Sequence, residues 1–144
     1  MTDKKTGVSL SKLDRSTWQT VRLGDVCEII SGGTPATHMP EYWDGDIPWC
    51  TPTDITASGD RFISRTARNV TREGVAHGTN GILPQGTLLM CSRATIGEVK
   101  IAACPITTNQ GFKNLICHEC IDNIFFYYLS YMLKCADLTF SKDA

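Results

Sequence analysis

One stretch, Leu83–Phe112 (LPQGTLLMCSRATIGEVKIAACPITTNQGF), constrains the fold of this chain more than any other. Two apolar runs, Thr87–Cys91 and Glu98–Ala103, flank the polar segment Ser92-Arg93-Ala94-Thr95-Ile96-Gly97. Short apolar runs bounded by turn signals are read as strands, so the pattern predicts two strands joined by a polar connector. Leu83-Pro84-Gln85-Gly86 supplies the first turn signal, with proline preset for the second position and glycine closing it. Strands on either side fix the ends of the connector and leave its hydroxyls and guanidinium in water. A rigid scaffold presents a reading head in this way.

At 144 residues the chain reads as one domain, long enough to bury roughly two-thirds of its unfolded surface. Hydrophobic residues make up 42% and charged residues 20%, which excludes a disordered polymer and fits a globular domain. Nothing approaches the ~20 apolar residues of a membrane span. MTDKKTG is followed by no apolar run, so neither a secretory signal nor a transit peptide is visible and the expected compartment is cytoplasmic. Seven cysteines (Cys27, Cys50, Cys91, Cys104, Cys117, Cys120 and Cys135) are scattered through apolar segments, as reduced core thiols are, rather than as a disulfide framework. The net charge of −1, from 14 basic and 15 acidic residues, builds in no long-range attraction to a polyanion. Any nucleic-acid site must come from uneven placement, and Arg61, Arg65, Arg68 and Arg72 are such a placement.

Residues 1–17 are polar and without period, a flexible lead-in to a domain spanning 18–144. Leu23, Val26, Cys27 and Ile30 match a helical stripe so short that one or two turns with an extended exit are expected. Ser31-Gly32-Gly33-Thr34-Pro35 is a breaker cluster; it lacks the lysine and hydroxyl spacing of a phosphate-binding loop and reads as a plain loop or a DNA-phosphate contact. Asp44-Gly45 signals a turn ahead of a strand from Ile47 to Cys50, and Trp43 and Trp49, the latter beside Pro48, are expected to close a core edge more than to stack on bases. Arg61–Val70 has no apolar helical face and is expected as strand or loop, followed by a short helix capped by Thr71. Its arginines fit either a solvated face or contacts to a DNA backbone. Phe112–Cys117 predicts a further strand. Asp122 then caps a helix with Phe125, Leu129, Met132, Leu133 and Ala136 on one face. Several strands followed by one sizeable late helix make an α+β class.

Three catalytic readings, a nuclease, a zinc site and a methyltransferase or NTPase centre, run out early. Glu98-Val99-Lys100 fits the Glu-x-Lys half of a Mg²⁺-dependent nuclease, but needs an aspartate from a neighbouring strand, and only the distant Asp54 and Asp60 are available. Cys117-His118-Glu119-Cys120 is half of a zinc site with no second pair; Cys91, Cys104 or His38 would have to complete it through folding. Neither G-x-G-x-x-G nor G-x-x-x-x-G-K-[ST] occurs, and His38, His77 and His118 read as surface or turn residues.

Leu23-Gly24-Asp25, Gly32-Gly33-Thr34-Pro35, Tyr42-Trp43, Ile47-Pro48-Trp49, Thr53-Asp54-Ile55, Gly86-Thr87, Ser92–Gly97 and Thr108-Asn109-Gln110-Gly111-Phe112 fall in an order that resembles the target recognition domain of type I restriction-modification specificity subunits. The resemblance covers most of Trp18–Leu133. It implies a non-catalytic protein that reads double-stranded DNA, one such domain for each half of a bipartite site. The implied partners are methyltransferase and restriction subunits, the former held by long spacer helices. S-adenosylmethionine, ATP and Mg²⁺ would belong to those partners, and none to this chain. With one domain ending at Ala144 before any spacer helices, the chain is expected to be a fragment or a truncated relative.

Members of such a family read different sequences, so the residues that carry the resemblance cannot set the target. Gly33, Pro35, Trp49, Gly97, Asn109, Gln110 and Gly111 are therefore expected as fold determinants. DNA contact is expected from Arg61, Arg65, Arg68, Arg93, Thr95 and Lys113, where an arginine fork suits guanine or phosphate. The alternatives are the nuclease built on Glu98 and Lys100, and a protein-interaction fragment held through the Asp122–Ala136 helix.

Overall fold

In the computed structural model the described residues are 14 and 16–135, with side chains described as far as residue 130. The elements are α1 (Leu23–Val26), β1 (Cys27–Ser31), a 3-10 turn at Pro40–Tyr42, β2 (Trp43–Cys50), α2 (Pro52–Ala57), β3 (Phe62–Ile63) and β4 (Arg68–Val70). There follow α3 (Arg72–Gly78), β5 (Leu88–Cys91), β6 (Val99–Ala102), β7 (Thr107–Thr108), β8 (Phe112–Cys117) and α4 (Asn123–Cys135). The class is α+β, as expected. Among the described residues no helix is long and apolar enough to cross a membrane.

The strands form a five-stranded sheet in the order β1-β8-β5-β6-β3 and a three-stranded sheet in the order β4-β2-β7. Pairing in the larger sheet is antiparallel except between β3 and β6, and in the smaller sheet β7 runs parallel to β2. The runs around the connector read as continuously apolar because both faces of the larger sheet are covered. Leu88, Ile101 and Leu115 point to one face, where Tyr127 of α4 packs. Leu89, Cys91, Ala102 and Phe112 point to the other, against Cys50, Ile55 and Ile106. A third cluster, Trp43, Ile47, Trp49 and Val70, closes the smaller sheet. A polar side chain ties the sheets together, Asn114 Nδ2 on β8 donating to Thr108 Oγ1 on β7 (2.7 Å), and within the smaller sheet Thr107 Oγ1 donates to the Pro48 carbonyl on β2 (2.9 Å).

Several local expectations hold. A single helical turn exits into β1, Thr71 Oγ1 accepts from the Gly74 amide (3.0 Å) to cap α3, and Asp122 Oδ1 accepts from the Phe125 amide (2.7 Å) to cap α4. The proline–glycine turn forms one residue later than read: the Thr87 amide donates to the Pro84 carbonyl (3.2 Å), so Pro84 stands first and Gly86, at φ +93°, third.

Three readings change. Asp44-Gly45 does not precede the strand but lies inside it. Asp44 takes φ 61°, and the pairing with β4 slips so that Trp43 and Ile47 both face Val70. The turn signal there makes a bulge. Helix α2 was not expected at all, although Thr51-Pro52-Thr53-Asp54 has its start signature: proline in the first turn and a capping box in which Asp54 Oδ2 accepts from the Thr51 amide (2.8 Å). On α4 the buried face is Tyr127 and Ser130, with Ile124 beside them, whereas Phe125 is 60% exposed. Apolar residues run from Ile124 to Leu129 without a break, so periodicity alone picks no face. The side chains of Met132 and Leu133, and Ala136 entirely, lie outside the described residues, as does most of the expected lead-in.

Candidate nucleic-acid interface

The connector is a closed loop. The Cys91 amide donates to the Glu98 carbonyl (2.8 Å), Gly97 to Cys91 (3.0 Å) and Glu98 to Thr95 (3.1 Å). Ala94 at φ 59° and Gly97 at φ 86° supply the left-handed backbone that the reversal needs. The Ser92 amide donates to the Gly111 carbonyl (2.9 Å), which fastens the connector to the segment between β7 and β8. Arg93 is exposed, as expected. Thr95 differs from the expectation of a hydroxyl in water: its Oγ1 is enclosed and without a hydrogen-bond partner among the described residues. The tight reversal at Ala94 and Gly97 turns that side chain inward.

The breaker cluster beside it is held by backbone contact. A Cβ on Gly32 would stand 2.1 Å from the Asn109 carbonyl oxygen, one on Gly33 2.3 Å from that of Gly78, and one on Gly78 2.2 Å from Pro35 Cα. Gly33 donates its amide to Thr108 (2.9 Å) and accepts at its carbonyl from Trp49 Nε1 (3.0 Å). These glycines serve close approach, and the Gly33 amide is not free to bind an anion.

Exposed polar side chains stand on this framework. Thr34 Oγ1 donates to Gln110 Oε1 (2.5 Å), while Asn80 Nδ2 donates to the Ser31 carbonyl (2.6 Å) and Lys113 Nζ to Ser31 Oγ (2.7 Å). Lys113 pairs with Met90 and Ser31, at the same end of the sheet from which Arg93 projects. The fold thus brings Arg93 and Lys113 to one end. It adds Thr34, Asn80 and Gln110, whose grouping no sequence spacing announces.

The arginine segment lies elsewhere and is not one face. Arg61, on the approach to β3 at the far edge of the larger sheet, donates to the Tyr128 hydroxyl of α4 and lies 5.3 Å from the Phe62 ring centroid. Arg65 lines an open cavity of about 410 Å³ with Asp54, Ser58 and Asp60. Arg68, on β4 of the smaller sheet, lies 3.6 Å over the Trp43 ring. Trp43 and Trp49 are themselves buried, edge to face at 5.0 Å, as packing predicts.

The catalytic fragments are otherwise engaged. Lys100 is 8% exposed, and its ammonium donates to the carbonyl oxygens of Ser58 and Asp60, so it holds the segment before β3 and is not placed to act on a metal-bound water. Cys117 faces Cys27 across the β1–β8 ladder. Among the described residues no three His, Cys, Asp or Glu side chains gather as metal ligands would. His77 stacks on Tyr42, and His118 Nδ1 lies 3.2 Å from the Asp25 carbonyl oxygen.

Loops clamped at one end of a mixed sheet thus present cationic, amide and hydroxyl side chains to the outside. The chain belongs to the type I restriction modification DNA specificity domain family, whose model matches residues 15–143. It is 45% identical over 112 residues to the specificity subunit of the type I restriction enzyme MjaIX of Methanocaldococcus jannaschii, covering 78% of this chain and 26% of that protein. It is 31% identical over 116 residues to the EcoprrI specificity subunit of Escherichia coli, covering 77% of this chain and 28% of that one. The HsdS subunit from Thermoanaerobacter tengcongensis has the same fold, with a TM-score of 0.69 at 20% identity over 94% of this chain and 33% of that one. The chain therefore spans between a quarter and a third of the length of these relatives.

Proposed function

We propose that this chain is a target recognition domain that reads double-stranded DNA, supplying one half-site of a bipartite target as part of a type I specificity subunit. The observation that carries the reading is the family match across residues 15–143, together with 45% identity to a named specificity subunit. The exposed end bearing Arg93 and Lys113 supports it, because a cation and an arginine fork on fixed backbone suit phosphate and a guanine edge. In this reading Arg93 makes the direct base contact and Thr95 shapes the connector that carries it. Lys113 meets phosphate, and Arg61, Arg65 and Arg68 contact the backbone further out. The domain itself catalyses nothing. Methyltransferase and restriction subunits, with S-adenosylmethionine, ATP and Mg²⁺ bound to them, supply the chemistry in the cytoplasm.

Selection of bound duplexes from a random pool tests the reading. Enrichment of one short sequence supports it, and recovery of unrelated duplexes at every round overturns it. Incubating the chain with plasmid and Mg²⁺ should leave the plasmid intact.

A further inference from the structure

We infer that Cys27 and Cys117 are a dithiol site that a small two-electron thiol oxidant closes into a disulfide. The two residues are register partners in the antiparallel β1–β8 ladder, and the neighbouring His118 amide donates to the Val26 carbonyl at 2.8 Å. That bond lies just outside the pair, which makes Cys27 and Cys117 a non-hydrogen-bonded pair. Such pairs bring Cα atoms to about 4.5 Å, within the span that a disulfide bridges. The thiols already touch, Sγ to Sγ, at 3.7 Å. Closure to a bond of about 2.05 Å needs an approach of roughly 1.7 Å, which side-chain rotation shares between both residues.

Access is unequal. Cys27 is 1% exposed, packed with Leu88, Leu115 and Tyr127, whereas Cys117 is half-buried and lines an open cavity of about 390 Å³ with Gln85, Gly86, His118 and Asp122. A reagent entering that cavity meets Cys117 first, and Cys27 resolves. With a diazene oxidant, the Cys117 thiolate adds to one nitrogen, and Cys27 then attacks the Cys117 sulfur. The S–N bond breaks, its electron pair leaves with the nitrogen, and the two thiol protons end on the hydrazine product. With hydrogen peroxide the O–O bond breaks, and the same two thiols give the disulfide and two waters. Burial pushes both thiols up, Cys117 to about 12, so both are held protonated and the thiolate is scarce.

The bond would matter because β1 is an edge strand held by β8 alone, and its other end carries Ser31, the acceptor for Asn80 and Lys113. The inference does not rest on the DNA-reading role. It is tested by treating the chain with diamide, blocking remaining thiols with N-ethylmaleimide and mapping peptides by mass spectrometry. The expected product joins the Cys27 and Cys117 peptides, two hydrogens lighter, reverses with dithiothreitol and melts higher than the reduced chain. Cys120→Ser should keep the link and Cys117→Ser should abolish it. A Cys117–Cys120 or intermolecular bond, or no Cys27–Cys117 link at saturating diamide, overturns the inference.

Discussion

Arg68 and Arg93 both stand exposed beside strands, yet the two regions that carry them hold them in opposite ways. In the β3–β4 region the guanidinium groups of Arg61 and Arg68 are themselves held. Arg68 lies on Trp43, and Arg61 reaches Tyr128. In the β5–β6 connector the backbone is closed by three hydrogen bonds and fastened to Gly111, while the Arg93 side chain stacks on no ring among the described residues. A guanidinium lying on a ring keeps its in-plane donors free with its rotamer chosen in advance, so a contact costs little further ordering. A free side chain on a fixed loop pays that ordering on contact but can adapt to a base edge. Positioning against phosphate suits the first, and discrimination between bases suits the second.

The largest test of this contrast removes the ring. Trp43→Ala should destabilise the fold by about 3–5 kcal/mol in chemical denaturation, because it empties a buried aromatic site and releases Arg68 at once. A loss under ~1 kcal/mol would mean that the ring is no core platform. Next, Arg93→Ala should cost about 1–3 kcal/mol on the selected duplex with little change on random DNA. Equal losses on both would move Arg93 into the positioning class and erase the distinction. Asp54→Ala should cost about 1 kcal/mol of stability, since it removes the capping box of α2 and the acceptor for the Ala67 amide (2.9 Å) that ties down the β3–β4 region. The smallest measurable effect is on salt. Arg68→Ala should reduce the log–log salt slope of binding by about 1 on every duplex, and an unchanged slope would take Arg68 off the backbone.

A pH titration serves as a control that strikes both regions together. Cys50 packs in the core with Cys91, the residue before the connector, and sits near Asp54; burial first, then those two neighbours, raises its thiol far above the ordinary 9.0. The folded protein therefore keeps a proton that the unfolded chain loses above pH 9, and stability should fall as pH rises beyond that point. Melting curves in alkaline buffers check the sign. Cys50→Ala should flatten the decline.

The sequence disclosed most where local physics decides. The continuous apolar runs of β5 and β6 announced two strands, and Thr71 and Asp122 announced helix starts. It was silent where two distant segments decide jointly. Nothing near Lys100 signals that its ammonium satisfies carbonyls some forty residues earlier, and Ser31 gives no hint of meeting both Asn80 and Lys113. Thr95 was misread because a polar residue in a polar segment was taken to face water, whereas the left-handed residues around it turn the side chain inward. The overlooked helix α2 is a different kind of miss, since Thr51-Pro52-Thr53-Asp54 was legible all along.

The glycine contacts at 32, 33 and 78 carry a consequence for how such a domain can diversify. At those positions any side chain would push backbone from backbone, so they admit almost no substitution without rebuilding the loops. Asn80, Arg93 and Lys113 stand in the open on the framework those glycines lock. In the DNA-reading role proposed above, the molecule separates what must stay constant from what is free to vary, so that a new preference for DNA would arise by exchanging a few outward side chains while the chain folds as before.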